Sequence, residues 1–173
     1  MYRRLAAGAS DAVACIVKIV SDLHIRRAQS EEHEEISALA LRSKGYWGYS
    51  AEFLEACRAE LTFDATTCGS GLMWVVAQDD TVLGFSLLRG ESNDGELSAL
   101  FVDPSAIGTG CGRMLLEHTL HAARAAGFTH LELDADPGAE SFYLRFGARR
   151  IGTSPSGSIP GRELPRLAIA LAE

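Results

Sequence analysis

Three glycines alternate in a short loop between a run of apolar residues and an amphipathic helix pattern: Gly108, Gly110 and Gly112. The apolar run, residues 97–102, predicts a buried strand, and Pro104 ends it because proline has no amide hydrogen for a ladder. The first amides of a helix lack partners within the helix and carry the positive end of its dipole. Since glycine lets an anion approach the backbone closely, the loop predicts a phosphate-binding site.

The glycine spacing separates this loop from two common nucleotide-binding loops. A P-loop ends in Gly-Lys-Ser/Thr, whereas this loop continues as Gly112-Arg113-Met114. The dinucleotide fingerprint has the spacing G-x-G-x-x-G, whereas this chain has G-x-G-x-G. A nucleotide-binding protein of another fold is therefore the weakest alternative, and a strand-to-helix turn that binds no ligand stays open as well.

The stretch resembles the acetyl-CoA loop of the GNAT superfamily of N-acetyltransferases, in which a strand ends in Val-x-Pro before Gln/Arg-x-x-Gly-x-Gly/Ala. Residues 136–148 resemble a second signature of that family, a short helix with Phe-Tyr-x-x-x-Gly-Ala/Phe. The resemblance covers roughly residues 23–152. The matching residues are Val102-Asp103-Pro104, then Ile107-Gly108-Thr109-Gly110-Cys111-Gly112 with Ile107 in place of Gln or Arg, and finally Phe142-Tyr143 and Gly147-Ala148.

The resemblance implies acetyl-CoA as the cosubstrate and assigns the residues that would bind it. Backbone groups of Leu100 and Val102 would hold the pantetheine arm, and Arg113 could add a charge-assisted bond to a phosphate. Asp136 occupies the place where many relatives have an asparagine that contacts pantetheine. The full expected set is Leu100, Phe101, Val102, Gly108, Thr109, Gly110, Cys111, Gly112, Arg113 and Asp136.

Two side chains are expected to carry the acid–base chemistry of acetyl transfer to an amine. Tyr143 matches the family tyrosine near the cofactor sulfur and can protonate the departing thiolate, although its ring could simply pack on the sheet. Glu96 opens the cofactor strand, where relatives often place a base that acts through water, although it could be a solvated residue after a turn. His130 and Glu132 are weaker alternatives as the base. A route through a Cys111 thioester is disfavoured, because no histidine or asparagine stands beside it in the sequence.

The acceptor side of the site is expected to involve Trp47, Tyr49 and Arg162. Trp47 and Tyr49 belong to an aromatic cluster in a loop between two predicted helices, a place that flanks the acceptor pocket in GNAT-like chains. The alternative is that these rings fill the core between the helices. Arg162 lies in a tail rich in Pro and Gly, which is either a plain connector or a wall of the acceptor pocket where Arg162 pairs with an acidic acceptor.

The order of local patterns positions these residues as in the GNAT fold. The resemblance implies an α/β (α+β) chain with a central mixed, mostly antiparallel sheet of about seven strands, a splayed parallel pair and flanking helices. Asn93-Asp94-Gly95 predicts a tight hairpin turn before the cofactor strand. The patterns predict strands at residues 23–28, 72–77, 82–88, 96–102, 128–134 and 166–171, and helices at 31–44, 51–61 and 113–126, with Gly127 as a C-terminal cap.

Composition narrows the setting of the protein. The 173 residues suit one domain at 23–173 after an N-terminal extension at 1–22, which is either an extra helix or disordered. A net charge of -7 argues against a nucleic-acid partner, and no metal-binding constellation is visible. Four cysteines without a C-x-x-C spacing favour a cytoplasmic location. Residues 1–22 are too short and too charged to span a membrane, and a homodimer through the last strand is expected from the family resemblance.

The expected function is therefore acetyl transfer from acetyl-CoA to a primary amine by direct attack. The acceptor is expected to be a small molecule, and the acidic balance hints at a cationic one such as a polyamine or aminoglycoside. The alternative is a catalytically drifted acyl-CoA-binding or sensor module of the same fold. Ile107 and Asp136 favour that alternative, whereas Tyr143 and Glu96 favour the enzyme.

Overall fold

The computed structural model describes residues 23–91 and 93–171, so the expectation for residues 1–22 lies outside the described residues. These parts of the chain hold seven strands and five α-helices, with short 3₁₀ turns at Ser30–Glu32 and Pro104–Ala106. The strands are β1 Leu23–Arg27, β2 Met73–Gln78, β3 Thr81–Glu91, β4 Asp94–Val102, β5 His130–Asp134, β6 Arg149–Pro155 and β7 Glu163–Ala170. The helices are α1 His33–Gly45, α2 Ala51–Cys57, α3 Ala65–Cys68, α4 Cys111–Ala125 and α5 Glu140–Arg145.

All seven strands form one sheet in the order β1-β2-β3-β4-β5-β7-β6. Neighbours pair antiparallel except β4 and β5, which are parallel and joined by the crossover helix α4. Apolar side chains of α1 cover one face of the sheet, and those of α4 cover the other. The predicted mixed sheet with flanking helices is confirmed, as is the Gly127 cap, whose φ is +87°.

The parallel pair diverges soon after it begins. β4 and β5 share only three register positions, from Asp94 opposite His130 to Glu96 opposite Glu132. Beyond Glu96 the two strands separate, while β4 stays paired with β3 as far as Val102. The splayed pair expected from the family resemblance is therefore present, and it leaves one side of β4 open.

A β-bulge at Ser98 decides which side chains of β4 face which helix. Leu97 and Ala99 pair with consecutive residues of β3, so Ser98 is the extra residue. As a result Leu97 packs in the α4-side cluster, whereas Ala99 packs in the α1-side cluster. Because neighbouring side chains of a strand alternate, Glu96 faces the α1 side, opposite to Leu97.

Several local predictions differ from the structure. The predicted turn at 93–95 lies earlier, since Asp94 and Gly95 already pair with β3. The second helix, predicted for 51–61, ends at Cys57, and the four-residue α3 was too short to produce a periodic pattern. The patterns do not predict β6, an exposed edge strand whose pairing with β7 comes from distant sequence; only its last two residues, Ser154 and Pro155, belong to the tail interpreted as a connector.

The last strand, β7, is longer than predicted and begins at Glu163. It lies between β5 and β6 and is paired on both sides, so it offers no free edge for the dimer contact expected there. The dimer itself and the cytoplasmic location stay predictions. Among the described residues, no helix combines the length and the apolar character needed to cross a membrane.

Candidate active site

A cleft of about 870 Å³ opens where β4 and β5 diverge. Its walls come from β4, the loop before α4, the segment from β5 to α5, the end of α1 and the segments around α2 and β6. Eleven of the predicted site residues line it: Trp47, Glu96, Leu100, Phe101, Val102, Gly108, Gly110, Gly112, Arg113, Asp136 and Tyr143. The other four, Tyr49, Thr109, Cys111 and Arg162, do not line this cleft.

The glycine loop owes its shape to two residues with positive φ. Gly108 has φ +83°, and Gly110, the residue that precedes α4, has φ +100°. A Cβ at either position would meet no atom within 4 Å, so the backbone conformation, and not a lack of space, requires glycine. Gly112 already belongs to α4, where a Cβ would make ordinary contacts with Val102 at 3.5 Å and Phe142 at 3.6 Å. The loop thus aims the first amides of α4 at the cleft.

The open side of β4 presents backbone N–H groups to the cleft. The amide of Asp103 donates to the carbonyl of Leu83 at 2.8 Å and so continues the pairing with β3. Because N–H groups alternate between the two sides of a strand, the amides of Leu100 and Val102 face the opening left by β5. The Val102 amide meets the Oγ of Ser43, on α1, at 3.4 Å.

Thr109 and Cys111 use their side chains to hold the loop. The hydroxyl of Thr109 donates to the carbonyl of Ala106 at 2.7 Å and also contacts Cys111 Sγ at 3.3 Å. Cys111 is completely buried, and burial raises the pKa of its thiol despite the bond from Thr109. A thiol of raised pKa that lies outside the cleft is a poor nucleophile, in agreement with the preference for direct transfer.

Tyr143 combines a buried ring with an available hydroxyl. The residue is 6% exposed and packs edge-on against Phe142 at a ring distance of 5.1 Å. None of the described residues forms a hydrogen bond with its hydroxyl. Every buried side-chain oxygen of the described residues has a hydrogen-bond partner, so the Tyr143 oxygen is accessible to solvent. The hydroxyl therefore reaches the cleft that Tyr143 lines. Burial raises the pKa of Tyr143 above its ordinary value, so the phenol keeps its proton throughout the physiological range.

The three candidate bases differ sharply in their surroundings. Glu96 lines the cleft, and no other described side chain forms an ion pair or hydrogen bond with its carboxylate. Glu132 is held by Arg166, whose guanidinium donates to it at 2.6 and 3.1 Å. His130 lies 3.7 Å from Asp94, on the far side of the parallel pair from the glycine loop. Of the three, Glu96 alone lines the cleft.

Asp136 is the centre of a polar cluster that the sequence did not predict, formed with Lys44, Tyr49 and Arg162. Lys44 Nζ lies 2.9 Å from its carboxylate, the Tyr49 hydroxyl donates at 3.0 Å, and Arg162 donates at 3.3 Å. Arg162 also donates to the Tyr49 hydroxyl at 2.6 Å. Both carboxylate oxygens of Asp136 are thus engaged by the protein, and its expected contact with pantetheine stays a prediction.

The cluster is largely shielded from water. The side chains of Lys44, Asp136 and Arg162 are 14%, 11% and 16% exposed. Burial alone would raise the pKa of Asp136, but the hydrogen bonds from Lys44, the Gly138 amide and Tyr49, together with the charge of Lys44, outweigh burial, and the pKa is lowered. For Tyr49, burial and the bond to Asp136 both raise the pKa. The cluster therefore contains two cations, one carboxylate and a neutral phenol.

The contacts of the cluster join three segments that are distant from one another in the sequence. Lys44 and Tyr49 flank the α1–α2 connection, Asp136 follows β5, and Arg162 precedes β7. In the same region Trp47 packs over Gly138, where a Cβ would lie 2.5 Å from the indole ring. Of these residues Lys44, Trp47, Asp136 and Gly138 line the cleft, and the expected roles of Trp47, Tyr49 and Arg162 near the acceptor stay predictions.

Comparisons with known proteins place this geometry in a family context. Residues 27–156 match the family described as acetyltransferase (GNAT) domain. The chain is 35% identical over 148 residues to the peptidyl-lysine N-acetyltransferase YjaB of Salmonella typhimurium, a match that covers 84% of this chain and 95% of the relative.

Two solved structures share the fold. The PaiA N-acetyltransferase of Thermoplasma acidophilum, in complex with coenzyme A, superposes with a TM-score of 0.67 at 21% identity, over 86% of this chain and 98% of that one. A GCN5-related N-acetyltransferase of Rhodopseudomonas palustris superposes with a TM-score of 0.71 at 22% identity, over 85% of this chain and 94% of that one.

Proposed function

Because this chain belongs to the GNAT family of acetyltransferases, it is an acyltransferase with acetyl-CoA as cosubstrate, and we propose that it acetylates a primary amine by direct attack within a ternary complex. The observation that supports direct attack is the single cleft lined by both Glu96 and Tyr143 beside the open amides of β4. Among the described cysteines, Cys57 alone lines the cleft and is only 3% exposed, whereas Cys111 is buried beneath the loop, so neither is suited to carry the acetyl group.

Backbone groups hold the cofactor in this proposal. The first amides of α4 and the side chain of Arg113 bind its phosphates, and the amides of Leu100 and Val102 bind the pantetheine arm along the open side of β4. The bound cofactor supplies an activated acetyl thioester. The departure from the family pattern at Ile107, which is 38% exposed on the loop, removes one polar side chain but none of these backbone donors.

Glu96 and Tyr143 move the two protons that the reaction requires. Glu96 accepts a proton from the acceptor ammonium through water, which leaves a neutral nitrogen to form a bond with the thioester carbon. Tyr143 donates its hydroxyl proton to the sulfur as the carbon–sulfur bond breaks, and the resulting phenolate takes up the second proton of the acylated nitrogen, which thereby becomes a neutral amide. The raised pKa of Tyr143 keeps that proton in place until the sulfur develops charge.

The acceptor of first choice is the side-chain amine of a peptidyl lysine. The proposal is supported by the two relatives named peptidyl-lysine N-acetyltransferase YjaB, 35% and 33% identical to this chain. A small-molecule amine is the second candidate. It is favoured by the loop before β7, which contacts the wall of the cleft through Ser158 and Glu60, a residue that lines the cleft.

The glycine loop provides a direct test of the cofactor site. In Gly110→Ala an L-residue must adopt φ +100°, which costs about 1–2 kcal/mol, so the loop relaxes and misdirects the first amides of α4. We expect the Kd of CoA to rise about tenfold in titration calorimetry. Gly127→Ala is the matched control, because it imposes the same kind of backbone strain, at φ +87°, at the far end of α4 and outside the cleft. Equal weakening by both substitutions would contradict this assignment of the loop.

Glu96→Gln tests the proposed reaction itself. We expect kcat/KM at neutral pH to fall about 10²-fold. The readout is release of free CoA from acetyl-CoA in the presence of a lysine peptide or of a panel of small amines. Glu132→Gln is the control, because Arg166 already engages that carboxylate.

The outcome of this assay also separates the enzyme from the alternative of a binding module. Saturable CoA binding without acetyl-CoA consumption by any amine would favour the module. Equal losses in Glu96→Gln and Glu132→Gln would refute the assignment of Glu96 as the base.

A further inference from the structure

Ser43, in the last turn of α1, carries a hydroxyl proton that no described residue accepts. The residue is 9% exposed and lines the cleft, and its Oγ accepts only the amide of Val102. Two other helical hydroxyls, on Ser37 and Thr119, donate to the carbonyl four residues earlier at 2.7 and 2.8 Å. Ser43 does not make this local bond, so its proton is available on the cleft side.

The bond between Ser43 and Val102 is also long. Its 3.4 Å separation exceeds the usual 2.9–3.0 Å of an N–H···O bond, so the Val102 amide is held weakly. The amide and the hydroxyl are thus two neighbouring donors at the same point of the open side of β4. A carbonyl oxygen has two lone pairs and can accept from both at once.

We propose that the Ser43 hydroxyl and the Val102 amide together bind one amide carbonyl of the pantetheine arm. The proposal rests on the assigned cofactor, acetyl-CoA, and adds a side chain to a groove otherwise made of backbone. In the complex the Val102 amide exchanges its weak bond to Ser43 for one to the carbonyl, and Ser43 donates to the same oxygen.

Position along β4 distinguishes this carbonyl from that of the reacting thioester. Val102 lies at the end of β4 that leads into the glycine loop, where the phosphates bind. Glu96, the proposed base, lies six residues earlier, about 20 Å away along an extended strand. A carbonyl bound at Val102 is therefore closer to the phosphates than to the reaction, and Ser43 is a binding residue and not a catalytic one.

The test compares two ligands that differ by the phosphopantetheine arm. CoA and adenosine 3′,5′-bisphosphate, which lacks the arm, are titrated into wild type and Ser43→Ala by calorimetry. We expect the Kd of CoA to rise about threefold to tenfold, as for loss of one hydrogen bond, and the Kd of the bisphosphate to stay unchanged. Ser37→Ala, on the same helix with its hydroxyl bonded within the protein, is expected to leave both Kd values unchanged.

Three results would overturn the proposal. An unchanged Kd for CoA means that Ser43 does not contact the arm. Equal weakening of both ligands means that Ser43 acts on the phosphate loop or on the general shape of the groove. A fall of kcat with CoA affinity unchanged assigns the donor pair to the thioester. Failure of wild type to bind CoA at all would instead refute the assigned cofactor, a separate and recognisable outcome.

Discussion

Tyr143→Phe is expected to lower kcat by about 10³-fold while leaving the Kd of CoA within about twofold of wild type. The hydroxyl is the proposed proton donor to the departing sulfur, and the ring that carries it is buried. The effect should exceed that of Glu96→Gln, because Glu96 is exposed and solvent can bypass it. Steady-state rates of CoA release, with CoA binding measured separately, check the prediction.

The substitution is a clean probe because the hydroxyl contributes little to folding. It has no hydrogen-bond partner among the described residues, and phenylalanine preserves the edge-on contact with Phe142. We therefore expect the melting temperature to stay within about 2 °C of wild type. Tyr46→Phe, at a tyrosine 51% exposed on the neighbouring loop, serves as control. A Tyr143→Phe enzyme with normal kcat would show that water protonates the sulfur.

Asp136→Asn is expected to lower the free energy of unfolding by about 3 kcal/mol. The change removes the negative charge that Lys44 and Arg162 share, and it leaves two largely buried cations facing each other. Denaturant unfolding measures the difference. Asp134→Asn is the matched control, since its contact with Arg166 lies at the surface with 37% of the Asp134 side chain exposed, and we expect a loss below about 1 kcal/mol.

The pH dependence of the free energy of unfolding, compared between wild type and Asp136→Asn, gives a second readout. Because the pKa of Asp136 is lowered in the folded state, its contribution is complete above the unfolded carboxyl pKa, about 3.9, and is lost as the pH falls through the folded value. The stability gap between wild type and Asp136→Asn should thus be constant above about pH 5 and shrink at lower pH. If Asp136→Asn lowered the free energy of unfolding no more than Asp134→Asn does, the cost of removing the charged groups from water would cancel the attraction within the cluster.

The sequence predicts well those parts of the fold whose conformation is determined by residues close together in the chain. The glycine loop and α4 follow one another directly, and their required φ values at Gly108 and Gly110 are properties of single residues. The family resemblance adds the splayed pair, which no local pattern reveals. β6 escapes prediction because its partner β7 lies on the other side of a turn-rich loop, and its residues are mostly exposed.

The wall around Asp136 is harder to predict, because it too depends on residues that are far apart in the chain. The cluster around Asp136 joins positions 44, 49, 136 and 162, which no local pattern connects. An acid in place of the family asparagine was visible in the sequence, but the two cations that engage it were not. Ser43 gives no signal either, because its importance arises only when α1 packs against the open side of β4.

The contact between Trp47 and Gly138 equips the protein with an optical reporter. Of the two tryptophans, Trp74 is buried in the core, whereas Trp47 is 42% exposed at the edge of the cleft. Its indole spans the boundary between the α1–α2 connection and the segment after β5. Intrinsic emission from Trp47 is therefore sensitive to quenchers and to any rearrangement of the two walls, so occupancy of the cleft can be followed in real time without a label.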